Sequence, residues 1–192
     1  DSEAGNADDT VVGVGEQLKK VLEEKYHVAV CHDLSVYDMQ DGKEDRNKAY
    51  SQAAVAVQNL LDEHPSIEVT IDLHRDGVPD NVHRGNGNKW KRRRTKNHVF
   101  KLACAEIRMV MSMILHKPNL SDNLAFSLQL QLKAKAYFPE LVRHIYLRAY
   151  RYNLHFKPRS LLVEVEPEQY RCRSQNAMEP LADILYAVLS GK

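Results

Sequence analysis

A chain of 192 residues, 43% hydrophobic and 28% charged, suits one globular domain, 1–192, with enough material for a core and a solvated surface. Its formal net charge of +1 gives no overall attraction to nucleic acid or to a membrane surface. Cys31, Cys104 and Cys172 lack C-x-x-C spacing, so neither a zinc ribbon nor a disulfide scaffold is indicated, and the redox compartment stays open.

No run of about 18 or more apolar residues occurs, and no charged n-region with an apolar h-region opens the chain. A start at Asp1 rather than Met predicts an excised or processed piece, with any membrane anchor upstream of it. After a small, acidic opening, Val14, Leu18, Val21, Leu22 and Tyr26 follow helical spacing, with Asp9 or Thr10 as cap. His27 to His32 is short and apolar and reads as a strand. A polar loop through Tyr37 to Lys43 precedes a second helix, Ala49 to Glu63, with Ala53, Ala54, Val57, Leu60 and Leu61 inward and a stop before Pro65.

The next run, Ile67 to Asp76, is apolar and β-branched and ends in Asp72-Leu-His-Arg-Asp76. That is the pattern of a buried strand delivering polar side chains to the carboxyl edge of a sheet. Helix, strand, helix, strand in alternation predicts an α/β fold with a mostly parallel sheet flanked by helices. Residues 102–115 allow a helix whose methionines belong to the core. The basic run Lys91-Arg-Arg-Arg94 could contact phosphates or anionic wall polymers but reads rather as a solvated loop, since only Trp90 offers a stacking ring, and no nucleic-acid partner is expected.

Further on, Ser121 to Tyr137 is a third helix, with Ser121 or Asp122 as cap and Leu124, Phe126, Leu128, Leu130, Leu132 and Ala136 as its apolar positions, stopped by Pro139. Ile145 to Leu147 is a short strand and Ser160 to Val165 a stronger one. The last helix, Ala177 to Leu189, buries Met178, Leu181, Ile184, Leu185 and Val188 and ends at Gly191. No internal repeat is visible.

Two buried-type strands each carry one ionisable residue near the carboxyl end: His74 and Glu164. A charge in such a place costs several kcal/mol unless paired or metal-bound. An imidazole and a carboxylate suit a zinc hydrolase or a metal-free acid/base pair. The plainer alternatives are a strand-end hydrogen bond for His74 and an arginine partner for Glu164. The other histidines show no fixed ligand spacing. His32, also at an expected strand end, is the next candidate.

At these residues the chain resembles the stage II sporulation protein P family, zinc-dependent peptidoglycan hydrolases related to N-acetylmuramoyl-L-alanine amidases. The matching blocks occur in order: Thr10-Val-Val-Gly-Val-Gly15, Asn47-Lys-Ala-Tyr-Ser51, Ile71-Asp-Leu-His-Arg-Asp-Gly77, Asp122-Asn-Leu-Ala-Phe126, Tyr150-Arg-Tyr-Asn-Leu154 and Ser160-Leu-Leu-Val-Glu-Val165.

The resemblance implies an amidase-like α/β fold and one Zn2+ held by a His, a Glu and a second His. His74 matches the second histidine ligand, Glu164 the carboxylate that does acid/base work, and Glu3 the carboxylate ligand within a block of the form His-Thr-His-x-Ser-Glu. The first histidine would precede Asp1 by one residue, so the chain as written supplies two of three ligands and should hold metal weakly. The substrate implied is peptidoglycan, cut between the lactyl group of muramic acid and the stem peptide, and also at peptide cross-links. The implied setting is extracytoplasmic and membrane-associated, between forespore and mother cell, with the anchor outside this chain and a lytic transglycosylase as partner. A reading from a different class is an inactive amidase-like domain that binds wall glycan or a partner protein.

Two stretches depart from the family pattern, 89–117 and 166–175. A compensated reading-frame shift would explain them. Lys96 to Lys101 is compatible with AAA AAT CAT GTT TTT AAA, whose next frame reads Lys-Ile-Met-Phe-Leu, a strand-like run. The nucleotide sequence tests that explanation.

Overall fold

The first apolar stripe winds into helix α1, Val11–Tyr26, in the computed structural model, which describes residues 10–40, 42–75, 107–112, 118–139, 141–165 and 175–191. Thr10, one of the two expected caps, accepts from the Val12 amide through its hydroxyl at 3.2 Å. Val14, Leu18 and Leu22 are buried, with Val21 and Tyr26 packed beside them, as the spacing required. The helix closes at His27 in the left-handed region, φ 55, its amide donating to the Glu23 carbonyl at 3.2 Å. That conformation costs a residue with a side chain roughly 1–2 kcal/mol. His27→Gly is therefore expected to raise unfolding stability by about 1 kcal/mol, seen as a higher urea midpoint at constant m; a fall would show that the imidazole's contacts outweigh the backbone relief.

The strand expected over His27 to His32 does not form. The Val28 amide donates to the Leu22 carbonyl at 3.0 Å and the Val30 amide to Glu23 Oε1 at 3.3 Å, so α1 takes donors that a ladder would need. Val28 and Val30 still pack onto the core. The polar loop that follows contains a small hairpin, β1 Met39–Gln40 with β2 Lys43–Glu44. Gly42 has φ 75, the left-handed geometry for which Asp-Gly is favoured in two-residue hairpins. Helix α2, Arg46–Glu63, starts earlier than expected and ends before Pro65.

Four strands make the main sheet: β3 Thr70–Arg75, β4 Ile107–Ser112, β5 Tyr146–Arg148 and β6 Ser160–Val165, in the order β3-β6-β4-β5. β3 with β6 and β4 with β5 are parallel, while β4 with β6 is antiparallel. The α/β class thus holds, with two of the three strand pairs parallel and β3 and β6 running opposite to β4 and β5. The helix allowed for 102–115 fails across 107–112, because β4 is an inner strand bonded on both edges, and that pairing overrides the helical preference of methionine.

Helix α3, Leu120–Tyr137, is capped by Asn119 rather than by Ser121 or Asp122, and the Asn119 side-chain amide donates instead to the His155 carbonyl at 2.8 Å. Its buried stripe is Asn123, Phe126, Ser127, Leu130, Gln131 and Ala134, the 3.6-residue period. Leu128 and Leu132, two of the apolar positions in the sequence pattern, face solvent at 49% and 58% exposure, because they lie off that stripe. Helix α4, Met178–Leu189, buries Met178, Leu181, Ile184 and Leu185, and Val188 packs on the same core.

Strand alternation divides the sheet into two faces. Ile71, Leu73, Met109, Leu161, Val163 and Val165 join α1, α3 and α4 in the main core. Tyr26 stacks on Tyr186 with ring centres 4.2 Å apart and donates its hydroxyl to Asp183 at 2.6 Å, which fixes α1 against α4. Lys25 bridges Glu179 and Asp183 at 3.0 and 2.9 Å, but these exposed pairs contribute little beside the apolar contact. The opposite face carries Asp72, His74, Leu162 and Glu164, with Leu162 packed on Leu154 beside Leu124, Ile145 and Tyr152. No described helix is long and apolar enough to cross a membrane.

Candidate functional site

The site grows out of the β3–β6 register. At the amino ends of these strands the Thr70 hydroxyl bonds the Ser160 hydroxyl at 2.7 Å, and the Thr70 amide donates to the Arg159 carbonyl at 3.2 Å. Parallel pairing from that anchor brings His74 opposite Glu164 four residues on. A one-residue slip would send the two to opposite faces, so the register itself makes the pair.

Asp72 precedes His74 by two residues and shares its face. The two side chains meet, His74 Nε2 to Asp72 Oδ1, at 2.8 Å. A carboxylate only accepts, so Nε2 carries the proton and donates it to Asp72. Tyr50, from the first turns of α2, stacks on the imidazole with ring centres 6.2 Å apart at 19°, its hydroxyl oxygen 3.4 Å from Nε2.

Burial works against the imidazolium, but the Asp72 hydrogen bond and the charges of Asp72 and Glu164 outweigh it, so the His74 pKa lies above the ordinary 6.5. The pair's contribution to folding is then fully present below about pH 6.5 and is lost as the pH rises through the folded-state pKa. Imidazole NMR is expected to show His74 titrating above 6.5 and Asp72→Asn lowering that value; an unchanged value in the variant would remove Asp72 as the cause. Burial chiefly, then Asp72, Tyr152 and Glu164, drives the Tyr50 hydroxyl well above its usual range, so it stays protonated at neutral pH.

The structure therefore brings two of the three sequence-derived site residues, His74 and Glu164, onto one edge. Glu3 lies outside the described residues, as do the basic run 91–94, the Lys96 to Lys101 stretch, and 166–174 of the second departure. His32 does something else: its Nδ1 sits 3.1 Å from Glu16 Oε2 on α1, and its ring lies against Gly15. Sequence reasoning gave no role to Asp72 or Tyr50. The two-residue period of a strand was sufficient to find Asp72, whereas nothing local announces that α2 lays Tyr50 on the imidazole.

Among the described residues no three of His, Cys, Asp and Glu converge to hold a metal ion. The donor chemistry at His74 nonetheless fits a metal ligand. With the proton of the neutral ring fixed on Nε2 by Asp72, the lone pair is left on Nδ1, and metal-binding histidines characteristically donate their other ring nitrogen to a carboxylate in this way.

No curated protein and no solved structure matched the chain. The family model for stage II sporulation protein P does match, over residues 1–186. With nearly all of its 192 residues covered, the chain belongs to the stage II sporulation protein P family, a sporulation family.

Proposed function

We propose that this chain is the catalytic part of a sporulation peptidoglycan hydrolase of the zinc-dependent N-acetylmuramoyl-L-alanine amidase type. The observation that carries the reading is the pairing of His74 with Glu164 on one face of the sheet, with Asp72 orienting the imidazole, in a chain that the family model covers from 1 to 186. His74, Glu3 and a histidine preceding Asp1 would hold the ion. The chemistry it supplies when bound is Lewis-acid polarisation of the amide carbonyl and a more acidic water.

The remaining work falls to the chain's own side chains. Asp72 keeps the proton on His74 Nε2 and so keeps Nδ1 available. Glu164 takes the proton of the attacking water and returns it to the leaving amine, so that hydrolysis yields a lactyl carboxylate and a free stem peptide. We read the sheet and its helices as the core of an amidase-like fold, with peptide cross-links as a further bond cleaved. The proposal extends to an extracytoplasmic, membrane-associated setting between forespore and mother cell, and to a lytic transglycosylase working on the same glycan.

Full-length protein incubated with purified peptidoglycan and zinc is expected to release stem peptides with a new free amino terminus, and chelation is expected to stop the release. Wall binding with no release, at a stoichiometric zinc content, would instead identify an amidase-like binding domain.

A further inference from the structure

Beside Tyr50 lies a cavity of about 210 Å³ lined by Tyr50, Ser51, Tyr150, Arg151, Tyr152 and Asn153. Pockets that enclose a whole small molecule run to roughly 300–1,000 Å³. This one is the size for a single ring of something larger.

Its tyrosines form a continuous edge-to-face series. Tyr50 and Tyr152 have ring centres 5.6 Å apart at 66°, and Tyr152 and Tyr150 5.8 Å apart at 71°. One end of the series stacks on His74. The other end, Tyr150, is 63% exposed, with the Arg148 guanidinium 6.0 Å from its ring centre.

The backbone is bent out of its preferred regions to build this wall. Tyr152 and Asn153 are consecutive left-handed residues, φ 51 and φ 54, and the Asn153 side-chain amide holds the bend by donating to the Tyr50 carbonyl at 2.9 Å. Such conformations persist where the surroundings over-determine them, and they gather at ligand sites.

Resting on the hydrolase reading above, we propose that this tyrosine-lined pocket is a glycan subsite that takes one sugar ring of the strand next to the residue whose stem peptide is cut. The axial C–H face of a pyranose is apolar and flat and packs on a phenol ring. Its equatorial hydroxyl and acetamido groups match the hydroxyl of Ser51 and the side-chain amide of Asn153 at the same wall. A cationic stem-peptide side chain suits the pocket less well, because Arg148 and Arg151 bring positive charge to its rim.

The test uses peptide-free glycan strands and full-length protein. Tyr150→Ala is expected to weaken strand binding roughly tenfold, with Tyr150→Phe, which keeps the ring, restoring it. On polymeric peptidoglycan the loss is expected in KM rather than in kcat. Wild-type strand binding by Tyr150→Ala overturns the subsite, and so does a loss confined to free stem peptides. Tyr150-dependent strand binding in a protein that releases no peptide would overturn the hydrolase reading and keep the subsite. Hydrolysis with an unchanged KM in Tyr150→Ala would do the reverse.

Discussion

Glu164→Gln in the full-length protein is expected to lower stem-peptide release by about 10²–10⁴-fold while leaving the fold and the zinc content intact. The substitution keeps the shape of the side chain and removes only its capacity to accept a proton. Glu164 is half-buried on β6, whose other residues are all buried, and it sits opposite His74 on the strand beside it. A half-buried group in that position still reaches water for proton exchange, while Val163 and Val165 on either side of it belong to the core. His74→Ala is expected to fail differently, losing bound zinc together with activity, because on the proposed reading it removes a ligand rather than a base. Release within a few-fold of wild type in Glu164→Gln would exclude this carboxylate as the base, and unchanged zinc content in His74→Ala would exclude the imidazole as a ligand.

The second large effect concerns stability. Asn123→Leu is expected to destabilise the fold by about 2–4 kcal/mol, since each buried polar group left without a partner costs roughly 1–3 kcal/mol. Asn123 is 2% exposed on α3. Its amide donates to the Leu154 carbonyl at 2.6 Å, and its carbonyl oxygen accepts from the Ser160 amide at 2.8 Å. Leucine fills the space but makes neither bond. The damage should spread to the site, because Ser160 opens β6 and fixes its register against Thr70, while Leu154 follows the bend that carries Tyr152 and Asn153. Urea denaturation measures it as a lower midpoint at unchanged m. A change within about 0.5 kcal/mol, the range of ordinary surface substitutions, would show that this polar tie contributes nothing.

Much of the secondary structure was legible in the residues. Ser160 to Val165 is an unbroken apolar run with one carboxylate and is the observed strand residue for residue. The stripes of α1 and α4 recur at 3.6 residues and bury as that period demands. These segments read cleanly because each is long enough, or apolar enough, for its own pattern to decide its state. His27 to His32 has a strand's composition as well, yet its amides go to α1, since a strand exists only when a partner edge receives it. Met109 and its neighbours show the opposite case, becoming a strand because two partner edges do.

Local pattern is enough for the α/β class, for the two strands that bring His74 and Glu164 to the edge of a sheet, and for the side of β3 on which Asp72 stands, since all three follow from short-range periodicity. Long-range pairing alone sets β3 beside β6 in the register that faces His74 to Glu164, runs β4 antiparallel to β6, and lays Tyr50 on the imidazole with Tyr152 against Tyr50. The strand pairings and the Tyr50–Tyr152 contact join residues about 50 to 100 positions apart, and their choice depends on hydrogen bonds and burial shared among several elements at once, which no local stretch of the chain encodes.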